Sequence, residues 1–261
     1  MTDVLLGSIP GVSVHNRPLP PMTALIISTR NPHKAREIQQ VLAGDYQYLT
    51  LNDFPGAPAA VEDGATFAAN AAKKVSTLAD WLTANWRIST LPPSDSLKLN
   101  LIPPPCEGGR GVPSITAFYV LADDSGLEVD ALGGAPGVHS ARFAALDGGG
   151  ADNSPDSANN TKLLRLLAGV PLARRTARFR CVLAVRRLFL PSPPETVFFE
   201  GVCAGRINLQ PAGGGGFGYD PLFIPDGCAQ SFAELGEGVK NTMSHRARAL
   251  QKLRRYLIST L

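Results

Sequence analysis

The chain has 261 residues, 44% hydrophobic and 18% charged, with a net charge of +3; it can bury one substantial core, as a large single domain or two lobes, and its mild basicity suits an anionic ligand without requiring nucleic acid. Its four cysteines, Cys106, Cys181, Cys203 and Cys228, are scattered with no C-x-x-C pair, which argues against a zinc site or a disulfide framework and fits a reducing compartment. No apolar run has the length of a membrane span, and residues 1–22, which lack a basic start before an apolar block, read as a loose tail and not as a signal peptide.

Residues 24–28 read as a short apolar strand, followed by Thr29, Arg30, Asn31, Pro32, His33 and Lys34. Asn31 suits a helix cap and Pro32 the first helical position. Ile38, Val41 and Leu42 then form the buried stripe of a helix. A strand, a tight loop and a helix start can hold an anion through free backbone N–H groups and the helix dipole, with Lys34 adding a full charge. An ordinary β-loop-α connection with a surface lysine fits equally well, and the glycines of a Walker loop are missing. Further on, Thr66 suits the cap of an alanine-rich helix on which Phe67, Asn70 and Lys74 share a face. That mixture predicts a face bordering a polar cleft. Glu62, just ahead, is either a carboxylate in reach of a metal or an exposed loop residue. Between 83 and 114 the periodicity dissolves into Pro- and Gly-rich sequence, which predicts a long loop or insertion.

An apolar strand is predicted at 117–122, ending at Asp123 and Asp124, with Ser125 and Gly126 as a turn before a second short strand at 127–129. This order places both carboxylates at the carboxyl end of a sheet, where open α/β folds keep ligands; a solvated turn is the alternative. A loop at 144–158, a leucine-rich helix at 159–167 and a hairpin of long strands at 177–190 and 196–203 follow, with Arg178 and Arg180 covering the open face. The glycines around Phe217, Gly218, Tyr219 and Asp220 let the backbone approach a flat ligand and let Phe217 stack on a base, unless they are a flexible linker beside a packed aromatic. Near the end, Ser244 suits the cap of a helix with Ala247, Leu250, Leu253 and Leu257 on one side. His245 and Arg246 then fall in its first turn. A basic helix start opposes the dipole, so it indicates a partner with acceptors or an exposed basic end.

In chain order, Ser28-Thr-Arg-Asn-Pro-His-Lys34, Glu62-x-Gly64-x-Thr66-Phe-x-x-Asn70-x-x-x-Lys74, Ala122-Asp-Asp-Ser-Gly-Leu127 with Pro136-Gly-Val-x-Ser-Ala-Arg142, Gly216-Phe-Gly-Tyr-Asp-Pro221 and Lys240-Asn-x-x-Ser-His-Arg246 resemble the motifs of the inosine triphosphate pyrophosphatase family, also called XTP/dITP pyrophosphatases. The tail and the 83–114 stretch lie outside the match, and Arg30 departs from the small residue or Asn usual in the family. The resemblance implies an elongated, two-lobed α/β fold with a mixed central sheet, flanking helices and a central cleft, in one domain over 23–261. It implies Mg2+-dependent hydrolysis of the purine triphosphates ITP, dITP and XTP to monophosphate and pyrophosphate, cleansing the nucleotide pool, with Mn2+ as an alternative ion. A cytoplasmic homodimer is implied, with neither a membrane nor a stable nucleic-acid partner.

By the same resemblance, Glu62 and Asp124 are the metal ligands, with Asp123 as helper, and Asp124 is also the general base. Lys34 and Lys74 neutralise the leaving oxygens, while Thr29, Arg30, Asn31, Pro32 and His33 hold the phosphate chain. Phe217 stacks on the purine, and Ser125, Gly218, Tyr219, Asp220, Lys240, His245 and Arg246 line the base side. Two rivals stand beside this reading: a related pyrophosphatase for modified pyrimidine nucleotides, and a non-catalytic nucleotide or RNA binder using the basic C-terminal helix.

Overall fold

Ala24, Leu25, Ile26 and Ile27 are completely buried and form the last four residues of β1 (Met22–Ile27). A strand covered on both faces needs such an unbroken apolar run. The computed structural model describes residues 22–85, 115–150, 152–188 and 195–260. β1 lies parallel to β2 (Tyr46–Thr50) on one side and β3 (Ile115–Val129) on the other. β4 (Thr176–Arg187), β5 (Thr196–Ile207) and the short β6 (Phe223–Pro225) continue the sheet antiparallel, in the order β2-β1-β3-β4-β5-β6. This is the mixed sheet of the expected α/β fold, and β4 and β5 are its predicted hairpin.

Helices cover both faces. α1 (Pro32–Leu42) and α5 (His245–Thr260) bury Ile38, Leu42, Leu250, Leu253 and Leu257 where Ala117, Tyr119 and Leu121 of β3 point. α2 (Phe67–Asn85) buries Phe67, Ala71, Val75 and Leu78 on the other face, against Phe118, Val120 and Ala122. A third core gathers Leu127, Val129, Phe179 and Phe223 near the far ends of the long strands, with Leu163 of α3 (Asp156–Leu166) and Phe232 of α4 (Phe232–Met243). At roughly 1.5–3 kcal/mol for each fully buried aliphatic or aromatic side chain, these three clusters fix where the helices sit.

Several sequence expectations change. β3 does not break at the acidic pair: its ladder with β4 runs on through Asp123↔Leu183, Asp124↔Val182, Ser125↔Cys181 and Gly126↔Arg180. The element that ends there is β1. Ile27 pairs with Leu121, and Ser28 N donates to Leu121 O at 2.7 Å. The carboxylates therefore lie just past the end of the parallel pairing, where β1 no longer flanks β3 and a cleft opens. Gly126 stays in the strand through its pairing with Arg180, and only glycine fits there, since a Cβ would meet Ser140 Oγ at 2.4 Å and Gly137 O at 2.5 Å.

The boundaries also shift. α2 includes residues 83–85, where Thr83 Oγ1 and Asn85 Nδ2 donate back to Ala79 O and Trp81 O. Residues 86–114 of the expected insertion and 1–21 of the expected tail lie outside the described residues. α3 begins at Asp156 instead of 159, because Pro155 O already accepts from the amides of Ala158 and Asn159. α4 was not expected from sequence, although Ser231 and Glu234 form a capping box at its start. Gly236, at φ 79°, interrupts the helix and dilutes its pattern. Among the described residues no helix is long and apolar enough to cross a membrane, and Cys181, Cys203 and Cys228 are free thiols.

Candidate active site

Successive residues of a strand point to opposite faces, so the two adjacent carboxylates of β3 have separate surroundings. Asp123 faces α1 and α5. It accepts from Lys34 Nζ at 2.6 Å, Arg246 Nε at 3.0 Å, Ser125 Oγ at 3.0 Å and Cys181 Sγ at 3.1 Å. Burial pushes its pKa up, but Arg246 and Lys34 outweigh that and hold the carboxyl well below the usual carboxylate range. On that face Asp123 gathers the cations Lys34 and Arg246.

Asp124 faces α2. Its oxygens accept from Lys74 Nζ at 2.9 Å and Asn70 Nδ2 at 3.1 Å, and Glu62 Oε2 lies 2.8 Å from the same Lys74 nitrogen. The Glu62 and Asp124 carboxylates thus converge on one atom. Burial raises the Asp124 carboxyl above its ordinary value despite Lys74 and Lys34. Lys74 is itself buried, which lowers its pKa, yet Asp124 and Glu62 more than offset this and keep it charged. The polar face predicted for Phe67, Asn70 and Lys74 is the face that meets Asp124.

The loop before α1 is built as expected in part. Asn31 caps the helix, its Oδ1 accepting from the amides of His33 at 2.9 Å and Lys34 at 3.3 Å, with Pro32 at the first helical position. Those two amides are therefore spent on the cap, and Pro32 has none. What the loop offers an anion is the dipole and side chains, rather than the free first-turn amides expected. Lys34 reaches Asp123, Arg30 Nη2 donates to Ala57 O at 3.0 Å, and Thr29 Oγ1 accepts from Asn31 N at 3.1 Å. His33 leaves the phosphate side altogether: its ring stacks on Phe217 with centroids 5.5 Å apart.

On the other side of the cleft, Glu37 of α1 joins Arg246 Nη1 and, at 2.7 Å, Lys240 Nζ. Lys240 also reaches Asp220 at 2.6 Å, and Asp220 Oδ2 accepts from Phe217 N at 2.9 Å. A continuous buried ion chain therefore runs Lys34–Asp123–Arg246–Glu37–Lys240–Asp220 and ends on the Phe217 backbone. Burial pushes the Glu37 carboxyl up, and Arg246 and Lys240 bring it below its ordinary value. For Asp220 burial prevails over Lys240 and the carboxyl is raised. The acceptors that the basic start of α5 called for are thus carboxylates of the chain itself. Arg246 makes four hydrogen bonds, to Asp123, Glu37 and Ser125, so one of its five N–H donors remains for a ligand.

His245 is buried and stacks on Phe179 at 4.7 Å, and its Nδ1 has no partner among the described residues. Burial, then Arg246 and Lys240, keep its pKa well below the usual histidine value, so the imidazole is neutral. Lys240 Nζ sits 4.4 Å from the centre of the Phe217 ring. The Tyr219 hydroxyl is turned away, donating to Ser140 O at 2.9 Å. Gly218 N donates to Asp156 at 2.6 Å.

Two hollows share Asn31, Lys34 and Ser125 in their walls. One is lined by Phe179, Phe217 and His245, the other by Glu62, Lys74 and Asp124. All the sequence-predicted residues, from Thr29 to Arg246, fall in or beside this pair. Three further residues belong with them. Glu37 was signalled only by its place one turn after Lys34, while Asn70 and Arg142 stood in the motifs that carry the resemblance without an assigned role. Arg178 and Arg180 pair with Glu128, Asp130 and Glu200 on the half-exposed sheet face, away from the cleft.

A mixed α/β sheet whose cleft joins a carboxylate-and-lysine compartment to an aromatic one defines a protein that takes a flat, anionic ligand. The chain belongs to the Ham1 family, whose family model matches residues 25–256. It is 42% identical over 234 residues to a dITP/XTP pyrophosphatase of Shouchella clausii, covering 89% of this chain and 96% of that one. A dITP/XTP pyrophosphatase of Geobacter sulfurreducens is 41% identical, at 90% and 97% coverage. Among solved structures, a Ham1 protein of Staphylococcus aureus superposes with a TM-score of 0.66 at 30% identity, covering 92% of this chain and 100% of that one. A nucleoside-triphosphatase, dITP/XTP pyrophosphatase, of Mycobacterium abscessus does so at 0.59 and 32%, covering 88% and 98%.

Proposed function

We propose that the protein hydrolyses deaminated purine nucleoside triphosphates (ITP, dITP and XTP) to the monophosphate and pyrophosphate, clearing them from the nucleotide pool. The observation that carries this is the convergence of Glu62 and Asp124 on Lys74 in a compartment that shares Lys34 and Ser125 with the one lined by Phe217. The activity for which the relatives are named, dITP/XTP pyrophosphatase, supports it.

The residues fit a hard divalent ion. Among the described residues no group of three or more His, Cys, Asp and Glu side chains forms a metal cage. Two converging carboxylates, completed by phosphate oxygens and water, are what Mg2+ commonly takes. Glu62 and Asp124 would hold Mg2+, or Mn2+ in its place; when bound, the ion polarises the α-phosphoryl group and acidifies a water. Asp124, with its raised pKa, takes the proton of the attacking water as general base. Lys74 and Lys34 carry positive charge to the leaving pyrophosphate, and such positioning supplies most of phosphoryl-transfer catalysis.

At the base side, Phe217 offers a ring face once the His33 imidazole moves off it. Lys240, the remaining Arg246 N–H and the neutral His245 line the purine edge. A 6-keto oxygen accepts from these donors, whereas the 6-amino group of adenine meets them donor to donor. Each unpaired buried group costs roughly 1–3 kcal/mol, or about tenfold to a hundredfold in preference. Of the basic residues of α5 that an RNA-binding rival would use, Arg246 is buried and held by Asp123 and Glu37, whereas Arg248, Lys252, Arg254 and Arg255 are exposed. A homodimer accords with the exposed Phe198 of β5, and a cytoplasmic setting accords with the free thiols.

The test is a Mg2+-dependent assay of ITP, XTP, ATP, GTP and pyrimidine triphosphates with product identification. Pyrophosphate release at least tenfold faster from ITP and XTP is expected. Orthophosphate as product, or a preference for pyrimidines, overturns the assignment.

A further inference from the structure

Residues 57–64, which carry Glu62, have no regular secondary structure, and the Glu62 side chain is 39% exposed. Side chains from both walls of the phosphate compartment hold this segment. Arg142, the last residue of the short 3-10 helix Gly137–Arg142, donates from Nη2 to Glu62 O at 2.9 Å. Asn70, fully buried on α2, accepts from Gly64 N at 2.8 Å and donates to Asp124 Oδ2 at 3.1 Å. One amide thus ties the segment to the other carboxylate. Gly64 permits the approach, since a Cβ there would lie 2.6 Å from Asn70 Oδ1.

We propose that Arg142 and Asn70 are positioning residues that set Glu62 against Asp124 and thereby fix the protein's two-carboxylate hold on the divalent ion. The inference rests on the proposed function, which takes those carboxylates as the ion's ligands. A glutamate on an irregular segment must be ordered each time it binds, and that ordering weakens the site. Arg142 acts on the backbone of Glu62 itself, and Asn70 acts two residues along while orienting Asp124. Both remove the freedom in advance, in the way that groups outside a metal's ligand set tune its affinity.

The test is Mn2+ titration of the full chain without nucleotide, followed by electron paramagnetic resonance, alongside thermal unfolding. Loss of an outer partner weakens metal binding by about 10–100-fold, so Arg142→Gln should bind Mn2+ at least about tenfold more weakly, with Arg142→Lys recovering part of the loss. Asn70→Ser should weaken it similarly; if that buried variant does not fold, the Arg142 pair decides. A lower thermal midpoint with wild-type Mn2+ affinity in Arg142→Gln makes the role merely structural and overturns the proposal. Glu62→Gln separates the two levels. If it loses Mn2+ while Arg142→Gln keeps it, only this inference falls; if it too binds as wild type, the assignment of Glu62 as a ligand falls with it.

Discussion

A single step along β3 separates two carboxylates with opposite protonation tendencies. Asp123 is locked in its ionised form by Arg246 and Lys34, whereas burial raises Asp124 above the ordinary 3.8. A general base is served by a carboxyl raised toward the working range, and of the two only Asp124 is raised. Asp124→Asn should lower turnover by about 10²–10⁴-fold while the chain stays folded, since Lys74 keeps Glu62 as a partner and the buried charge is removed. In the wild type the rate should fall with decreasing pH through a midpoint above the ordinary aspartate value. Pre-steady-state rates across acidic pH check both points. A variant with near-normal turnover would remove Asp124 as base.

At the level of elements, α5 is placed by contact with β5. A Cβ on Gly201 would sit 2.0 Å from His245 O and 2.6 Å from Ala249 N. Gly201→Ala should therefore destabilise the protein by about 1–3 kcal/mol through overpacking and also raise KM, because the displaced turn holds His245 and Arg246. Urea unfolding together with KM for ITP checks it, and a stable variant with unchanged KM would contradict this placement. Much of this layer was legible in the sequence. The Asn31 cap, the α2 face of Asn70 and Lys74, and the apolar side of α5 follow from spacing alone. The continuity of β3 did not, because Asp-Asp-Ser-Gly has turn composition and only the pairing with β4 overrides it. α4 was obscured by its glycines. The burial of Glu37 depends on cations supplied by α4 and α5, far along the chain, and no local pattern announces that.

Across the whole molecule, the ion chain joins β3, α1, α4 and α5 to the loop that carries Asp220 and Phe217. Breaking a buried pair by removing one partner costs about 3–5 kcal/mol, so Arg246→Met, which deprives both Asp123 and Glu37, should unfold at markedly lower urea at pH 7. The pH dependence has a definite sign. Both carboxyls lie below their unfolded values of 3.8 and 4.5, so their stabilisation is complete above those values and is lost as pH falls through the lower folded ones. The difference between wild type and Arg246→Met should therefore narrow as the solution is acidified. A difference that stays constant would show that the guanidinium acts through packing alone.

The same linkage bears on how such a protein changes. Lys240 and Asp220 border the proposed nucleobase side, and they are coupled through Glu37 and Arg246 to the carboxylate that anchors Lys34. A substitution that alters which base is admitted also disturbs the charge arrangement at the scissile end, so discrimination and speed must drift together as one inherited trait.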